Sequence, residues 1–204
     1  VLCAKFSIQN AKERIQKVIS WYPKIPFSWW VGPLDTPYNL EEALLQEGFI
    51  FKEENIGMYL DLATFTPHSS KKLLCVQVTS LDQLQDFCSV FVSIGGNRDI
   101  FENLYKNIPG SLYQKGCSLE MYVAYEEGVP AVTGILLLHA NCAGIYYVMT
   151  RPEMRKKGYG SSMMDQLLQK AKERGYFLAT LQASSHGKSL YTRLGFQEAC
   201  IFKE

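Results

Sequence analysis

The sequence has almost no excess charge, no long apolar run and no paired cysteine or histidine motif, and each shortfall removes a class of function. Lys plus Arg number 21 against 20 Asp plus Glu over 204 residues, a net charge of +1, so no global field is available to hold nucleic acid or an anionic membrane. The longest apolar stretch, Ile135–Leu138 with its neighbours, falls well short of the roughly 20 residues of a spanning helix. The opening Val1-Leu2-Cys3-Ala4-Lys5 lacks the basic-then-apolar order of a secretion signal. The expectation is a soluble, cytoplasmic chain with no nucleic-acid and no membrane partner. The six cysteines, Cys3, Cys75, Cys88, Cys117, Cys142 and Cys200, contain no C-x-x-C pair, which favours reduced, buried thiols over a disulfide framework. His68, His139 and His186 have no partner three or four residues away, so no metal site is expected. Apolar residue is abundant at 47%, enough for one large or two small cores.

Periodicity supplies the elements. Ala11, Ile15, Val18 and Ile19 recur at helical spacing behind Asn10, with Glu13 three residues later as a capping-box partner and Pro23 closing the segment. Pro26–Val31 reads as a short buried strand, Asn39 caps a helix that ends at Gly48, and a strand pair follows at Phe49–Lys52 and Met58–Leu62. The polar segment Thr66–Lys72 is the best boundary, dividing a smaller α+β piece at 1–70 from a larger domain at 72–204. In the larger part, Leu73–Val78 is a strand, and Ser80 with Gln83 forms a capping box for a helix bearing Leu81, Leu84, Phe87 and Phe91. A second helix is read over Ile100–Ile108. Three strands, Leu119–Tyr125, Val132–Leu138 and Ile145–Met149, lie at hairpin-like distances and predict an antiparallel meander. A long helix carrying Met163, Met164, Leu167, Leu168 and Ala171 then stops at Gly175, and a strand (Phe177–Gln182), a short helix and a last strand (Gln197–Phe202) complete the order. The fold class is α/β (α+β), a mixed sheet flanked by helices.

The chemistry is concentrated after the third meander strand. Arg155-Lys156-Lys157-Gly158-Tyr159-Gly160-Ser161 has the form R-x-x-G-x-G and opens the long helix. Two glycines let the backbone approach an anion, the unsatisfied N–H groups of the first helical turn point at it, and the lysines add charge, which makes a pyrophosphate cradle. The other reading is an ordinary glycine-containing loop with solvated basic residues. A dinucleotide fingerprint would need a third glycine, and Gly187-Lys188-Ser189 lacks the earlier glycine of a P-loop, since Gln182 stands there.

About thirty residues after that loop stands Leu190-Tyr191-Thr192-Arg193-Leu194-Gly195-Phe196, of the form L-Y-x-x-L-G-F. The two motifs at this separation, in this order of elements, resemble the GNAT superfamily of acetyl-coenzyme A dependent N-acetyltransferases over residues 72–204. The resemblance implies a mostly antiparallel GNAT-like sheet whose strand before the loop splays from its neighbour, so that Val148, Met149 and Thr150 pair with the pantetheine arm. It places the diphosphate on Arg155, Lys156, Lys157, Gly158, Tyr159, Gly160 and Ser161, and puts Ser184 where an Asn is often found. Tyr191 matches the tyrosine near the thioester sulfur, and an N–H near Val148 would face the carbonyl oxygen, where negative charge develops. The implied reaction is direct attack of a primary amine of a small molecule or peptide on acetyl-CoA, with Tyr191 as general acid and no metal. A phenol in water titrates at about 10 and a thiol at about 8.5, so full proton transfer is uphill by roughly 2 kcal/mol, and hydrogen-bond stabilisation of the departing thiolate is the firmer role.

One departure opens an alternative. The strand before the short helix reads Leu178-Ala179-Thr180-Leu181 where some family members carry a glutamate base, and Glu120, Tyr146, Tyr147 and His139 remain as groups acting through water. A noncatalytic acyl-CoA binding or regulatory module is therefore the competing reading. In the first 70 residues, Leu40–Phe49 repeats the helix-Gly-Phe pattern of Leu190–Phe196, with Leu44 in the place of Tyr191. A degenerate half-domain without catalytic residues, walling the acceptor pocket, is expected there.

Overall fold

In the computed structural model, residues 3–23, 26–68, 71, 73–99 and 117–204 are described. The expected helix at Ile100–Ile108 lies outside them. In chain order the elements are α1 (Ala11–Trp21), α2 (Leu40–Gln46), β1 (Glu54–Asp61), β2 (Leu74–Gln77), α3 (Leu81–Ser93), β3 (Leu119–Glu126), β4 (Val129–His139), β5 (Cys142–Thr150), a 3-10 turn at Pro152–Met154, α4 (Tyr159–Glu173), β6 (Leu178–Ala183), α5 (Lys188–Arg193) and β7 (Gln197–Lys203). The seven strands hydrogen-bond in the order β2-β3-β4-β5-β6-β1-β7. Strands β2 to β5 pair antiparallel and β6 joins β5 in parallel, so the sheet is mixed and mostly antiparallel, as expected.

Two tight hairpins make the meander. Glu127 and Gly128 (φ 50 and 80°) join β3 to β4, and Ala140 and Asn141 (φ 48 and 61°) join β4 to β5. Both pairs are left-handed, the conformation of a two-residue turn whose twist matches the flanking strands. The second turn is shorter than the gap between the expected strands ending at Leu138 and starting at Ile145, and β5 accordingly begins at Cys142.

The chain packs as two compact units: residues 1–58 with 182–191 and 197–204, and residues 59–181 with 192–196. In the second unit alternate strand residues face opposite helices. Met121 and Val123 of β3 pack with Leu84 and Phe87 of α3, whose start is the capping box of Ser80 and Gln83. On the other face, Gly134 of β4 lies under Leu167 and Met163 of α4, a helix that buries Met163, Met164, Leu167, Leu168 and Ala171. The first unit has its own core of Ala4, Ile15, Val18, Trp29, Leu40 and Leu44.

Several expectations are corrected. Pro26–Val31 is not a strand; Val31 makes a single bridge to Lys203, while Trp29 packs edge-on to Phe6 and Phe49, so burial of aromatics sets this segment instead of ladder pairing. Phe49–Lys52 is likewise outside any strand, because the amide of Lys52 is taken by the Glu204 carbonyl (2.6 Å). Asn10 does not cap α1 with its side chain; its Oδ1 accepts from the Ser7 amide (2.9 Å), and a local turn wins over the cap. All six cysteines are free thiols, but Cys3 is exposed and the other five are half-buried. No helix among the described residues is long and apolar enough to cross a membrane.

Candidate functional site

Strand β5 carries the site. Its parallel pairing with β6 consists of Cys142–Leu178, Ala143–Ala179 and Gly144–Thr180 and goes no further. From Ile145 onward the strands part, and the edge of β5 that contains Val148, Met149 and Thr150 has no β6 partner. The opposite edge stays on β4 but is interrupted: Ile135 pairs with Tyr146 and Thr133 with Met149, so one extra residue is accommodated on β5. This bulge places Tyr147 at φ 51°, a conformation that costs a non-glycine residue roughly 1–2 kcal/mol. The buried Thr133 hydroxyl donates to the Tyr147 carbonyl (3.0 Å) and holds the kink, and the Tyr147 ring stands edge-on to Phe91 at 6.4 Å.

Beyond β5 the chain is pinned before it enters α4. Arg151 donates from its amide to the Ala131 carbonyl (3.0 Å), from Nε to the Pro130 carbonyl (2.5 Å) and from Nη2 to the Ser89 hydroxyl (2.7 Å). Arg155 folds back, its Nε donating to the Thr150 carbonyl at 3.2 Å. Lys156 (φ 60°) and Gly158 (φ 84°) are both left-handed, which turns successive amides the same way, and Gly158 is the N-cap of α4. The first intrahelical bond runs from Ser162 to the Gly158 carbonyl (3.0 Å). The main-chain N–H groups from Lys156 to Ser161 find no acceptor among the described residues. Arg155, Lys156 and Lys157 are exposed, and the first turn of α4 contains no acidic side chain. Donors, helix dipole and local charge therefore agree on an anion.

Tyr159 leaves only its amide available to an anion, because its side chain is buried. The Lys71 ammonium lies 4.4 Å from the Tyr159 ring centre and donates to its hydroxyl (3.2 Å) and to Glu126 (2.7 Å). That hydrogen bond holds the Glu126 carboxyl below its ordinary range. In the sequence Lys71 falls in the polar boundary segment Thr66–Lys72, and no periodic signal marks a residue whose contacts are made by folding across the helix start. The bulge was more legible, since glycine inside the strand pattern at Gly134 is a known mark of a bulge or a close backbone approach.

Tyr191 and Ser184 belong to the other unit. Ser184 closes the turn before α5, its carbonyl accepting from the amides of Gly187 (3.0 Å) and Lys188 (3.1 Å). The Tyr191 ring lies over Gly187, where a Cβ would come within 2.9 Å of Cε2. Burial raises the Tyr191 phenol above its ordinary value. Of the four groups considered as bases through water, Glu120 is buried and ion-paired to Arg174 at 2.6 Å, and burial raises the Tyr146 phenol. A phenol raised in this way stays protonated at neutral pH and is not set to take a proton from an amine. No metal-binding cluster of His, Cys, Asp or Glu occurs among the described residues.

Residues 118–198 match the family model of the acetyltransferase (GNAT) domain. No curated protein sequence matches the chain significantly. Among solved structures, a GCN5-related N-acetyltransferase from Kribbella flavida superposes with a TM-score of 0.72 at 14% identity, over 98% of this chain and 76% of that one. A GCN5-related N-acetyltransferase from Sphaerobacter thermophilus gives 0.66 at 17% identity, over 96% and 64%. A predicted acetyltransferase with acetyl-CoA from Clostridium acetobutylicum gives 0.51 at 22% identity, over 62% and 91%. At these identities the likeness is one of fold.

Proposed function

From the match of residues 118–198 to the GNAT acetyltransferase family model, we propose that the chain transfers an acetyl group from acetyl-CoA to a primary amine of a small molecule or peptide. The observation that carries the proposal is a strand edge that opens after Gly144 and leads directly into a helix start whose amides at 156–161 have no acceptor among the described residues. Acetyl-CoA supplies a thioester carbonyl for the amine to attack. The chain's own residues bind and orient it: the unpaired edge of β5 at Val148–Thr150 offers backbone groups to an amide-containing arm, and the Lys156–Ser161 amides with both lysines hold the diphosphate. A donor near Val148, kept in place by the Thr133-anchored bulge, polarises the carbonyl.

Tyr191 acts on the departing thiolate. Its raised pKa keeps the phenol protonated across the working range and widens the gap to a thiol, so it donates a hydrogen bond in preference to surrendering its proton. The first 70 residues, in this reading, are a degenerate half-domain in which Leu44 replaces the tyrosine. A cytoplasmic location belongs to the same reading.

Thiol release measured across a panel of amines tests the activity. Tyr191→Phe is expected to lower kcat by about a hundredfold while acetyl-CoA affinity holds, and Lys156→Gln with Lys157→Gln is expected to weaken that affinity and its salt dependence. Undiminished acetyl-CoA binding with no turnover on any amine would instead favour the noncatalytic acyl-CoA module, as the absence of an ionisable side chain at Leu178–Leu181 allows. Failure to bind acetyl-CoA at all would remove both.

A further inference from the structure

At the opposite end of α4 from the phosphate cradle, a cavity of about 500 Å³ is lined by Gln77, Cys117, Ser118, Glu120, Arg174 and Tyr176. The 15 residues of α4 separate it from the cradle by about 22 Å at 1.5 Å per residue, so it is not an extension of the acetyl-CoA site. Its one carboxylate is unusual in being sunk in the fold: Glu120 is only 2% exposed. The Tyr122 hydroxyl donates to Glu120 Oε2 (2.6 Å), and Arg174 Nη1 donates to the same oxygen (2.6 Å). Both donors are on Oε2, no described residue donates to Oε1, and Glu120 is a lining residue of the cavity. The Arg174 side chain is 39% exposed and commits Nη1 alone to the pair, which leaves guanidinium N–H groups for a second acceptor.

We propose that this cavity is a second ligand site, selective for a small zwitterion of the α-amino acid type, with the ligand's ammonium on Glu120 Oε1 and its carboxylate on Arg174. The argument is one of charge complementarity. Glu120 and Arg174 are the charged side chains among the described lining residues, and together they are neutral but strongly dipolar. A lone cation entering beside Glu120 would face the guanidinium, and a lone anion beside Arg174 would face the carboxylate. A molecule carrying both charges in the opposite order satisfies each without breaking the pair, closing a ring of four alternating charges in a partly desolvated cavity. Gln77, Ser118 and Tyr176 add neutral donors and acceptors for the remaining polar atoms. The proposal does not depend on acetyl transfer, and each can fail without the other.

The test uses the full chain and nitrogen-15 amide spectra, titrated separately with L-alanine, n-propylamine and propionate. L-alanine is expected to give saturable shifts at Ser118, Glu120 and Arg174 and none at Lys156–Ser161, with both single-charge probes weaker by about tenfold or more, the factor expected when one charge-assisted bond is missing. Arg174→Gln is expected to weaken L-alanine by a similar factor; should that variant fold poorly, the three-probe comparison on the unaltered chain decides alone. No saturable shift with L-alanine, equal response to the three probes, or shifts confined to Lys156–Ser161 would each overturn the proposal.

Discussion

Gly134 is the point where α4, whose start is the proposed phosphate cradle, presses on the sheet, and replacing it with alanine measures that contact. A Cβ built there would lie 2.7 Å from Leu167 Cδ1, 3.2 Å from Met163 Cγ and 3.3 Å from Met163 Sδ, whereas carbon atoms rest about 3.5–4.0 Å apart. Leu167 and Met163 are fully buried, so neither can swing into solvent. Alanine is the better strand residue by roughly 0.5–1 kcal/mol on backbone entropy, but overpacking of this kind costs about 1–3 kcal/mol, and the clash is expected to win. In urea unfolding followed by circular dichroism, Gly134→Ala should lower the midpoint at unchanged slope, and acetyl-CoA affinity should fall because α4 and its amides are pushed off β4. Leu167→Ala removes the offending atom at a cost of its own of about 2–5 kcal/mol. In that background the added methyl fills vacated space, so Gly134→Ala should become neutral or stabilising, a coupling of more than about 1 kcal/mol. Equal costs in the two backgrounds would show that the glycine is not there for close packing. Gly128→Ala is the control: at φ 80° with nothing within 4 Å of its Cβ, it should show only about 1 kcal/mol of backbone strain and leave acetyl-CoA affinity intact.

Three other outcomes are expected. Burial, reinforced by the hydrogen bonds to Glu120 and Asp86, raises the phenols of Tyr122 and Tyr125; their contribution is complete below the unfolded phenol value near 10 and is lost as pH rises above it. Stability should therefore decline on the alkaline side, and Tyr122→Phe with Tyr125→Phe should flatten that decline; an unchanged slope in the double variant would contradict the assignment. Cys75 and Cys88 are pushed up to about 11 by burial, so at pH 8 only about one in a thousand is thiolate. Exposed Cys3 should react first with an aromatic disulfide reagent and these two last, and mass mapping of early adducts on Cys75 or Cys88 would refute that order. Ser80→Ala removes the hydroxyl that accepts from the Gln83 amide (3.3 Å), while the residue-80 amide can still donate to Gln83 Oε1 (3.1 Å), and should cost about 1 kcal/mol in thermal or urea unfolding; no measurable cost would mean that the hydroxyl does not help to hold the start of α3.

What the chain encodes locally could be read without coordinates. The R-x-x-G-x-G loop, the capping box at Ser80, the meander and the buried face of α4 each depend on residues close in sequence, through spacing, a cap or a turn. Other features arise between distant residues. Whether Pro26–Val31 became a strand depended on what Trp29 packed against. The arrest of β5 pairing at Gly144, the bulge that Thr133 pins, and the placement of Lys71 against Tyr159 likewise require elements far apart in the chain to meet. Glu120 shows the difference most plainly. As a letter on a central strand it was a candidate base; only the packed structure, by bringing Arg174 to within 2.6 Å, made it half of a buried ion pair facing a different cavity. Local pattern specifies which segments form and which amides are left over, because those energies are settled within a few residues. Burial, pairing partners and proton affinity belong to the assembled whole, because desolvation and charge depend on whatever the rest of the chain brings near.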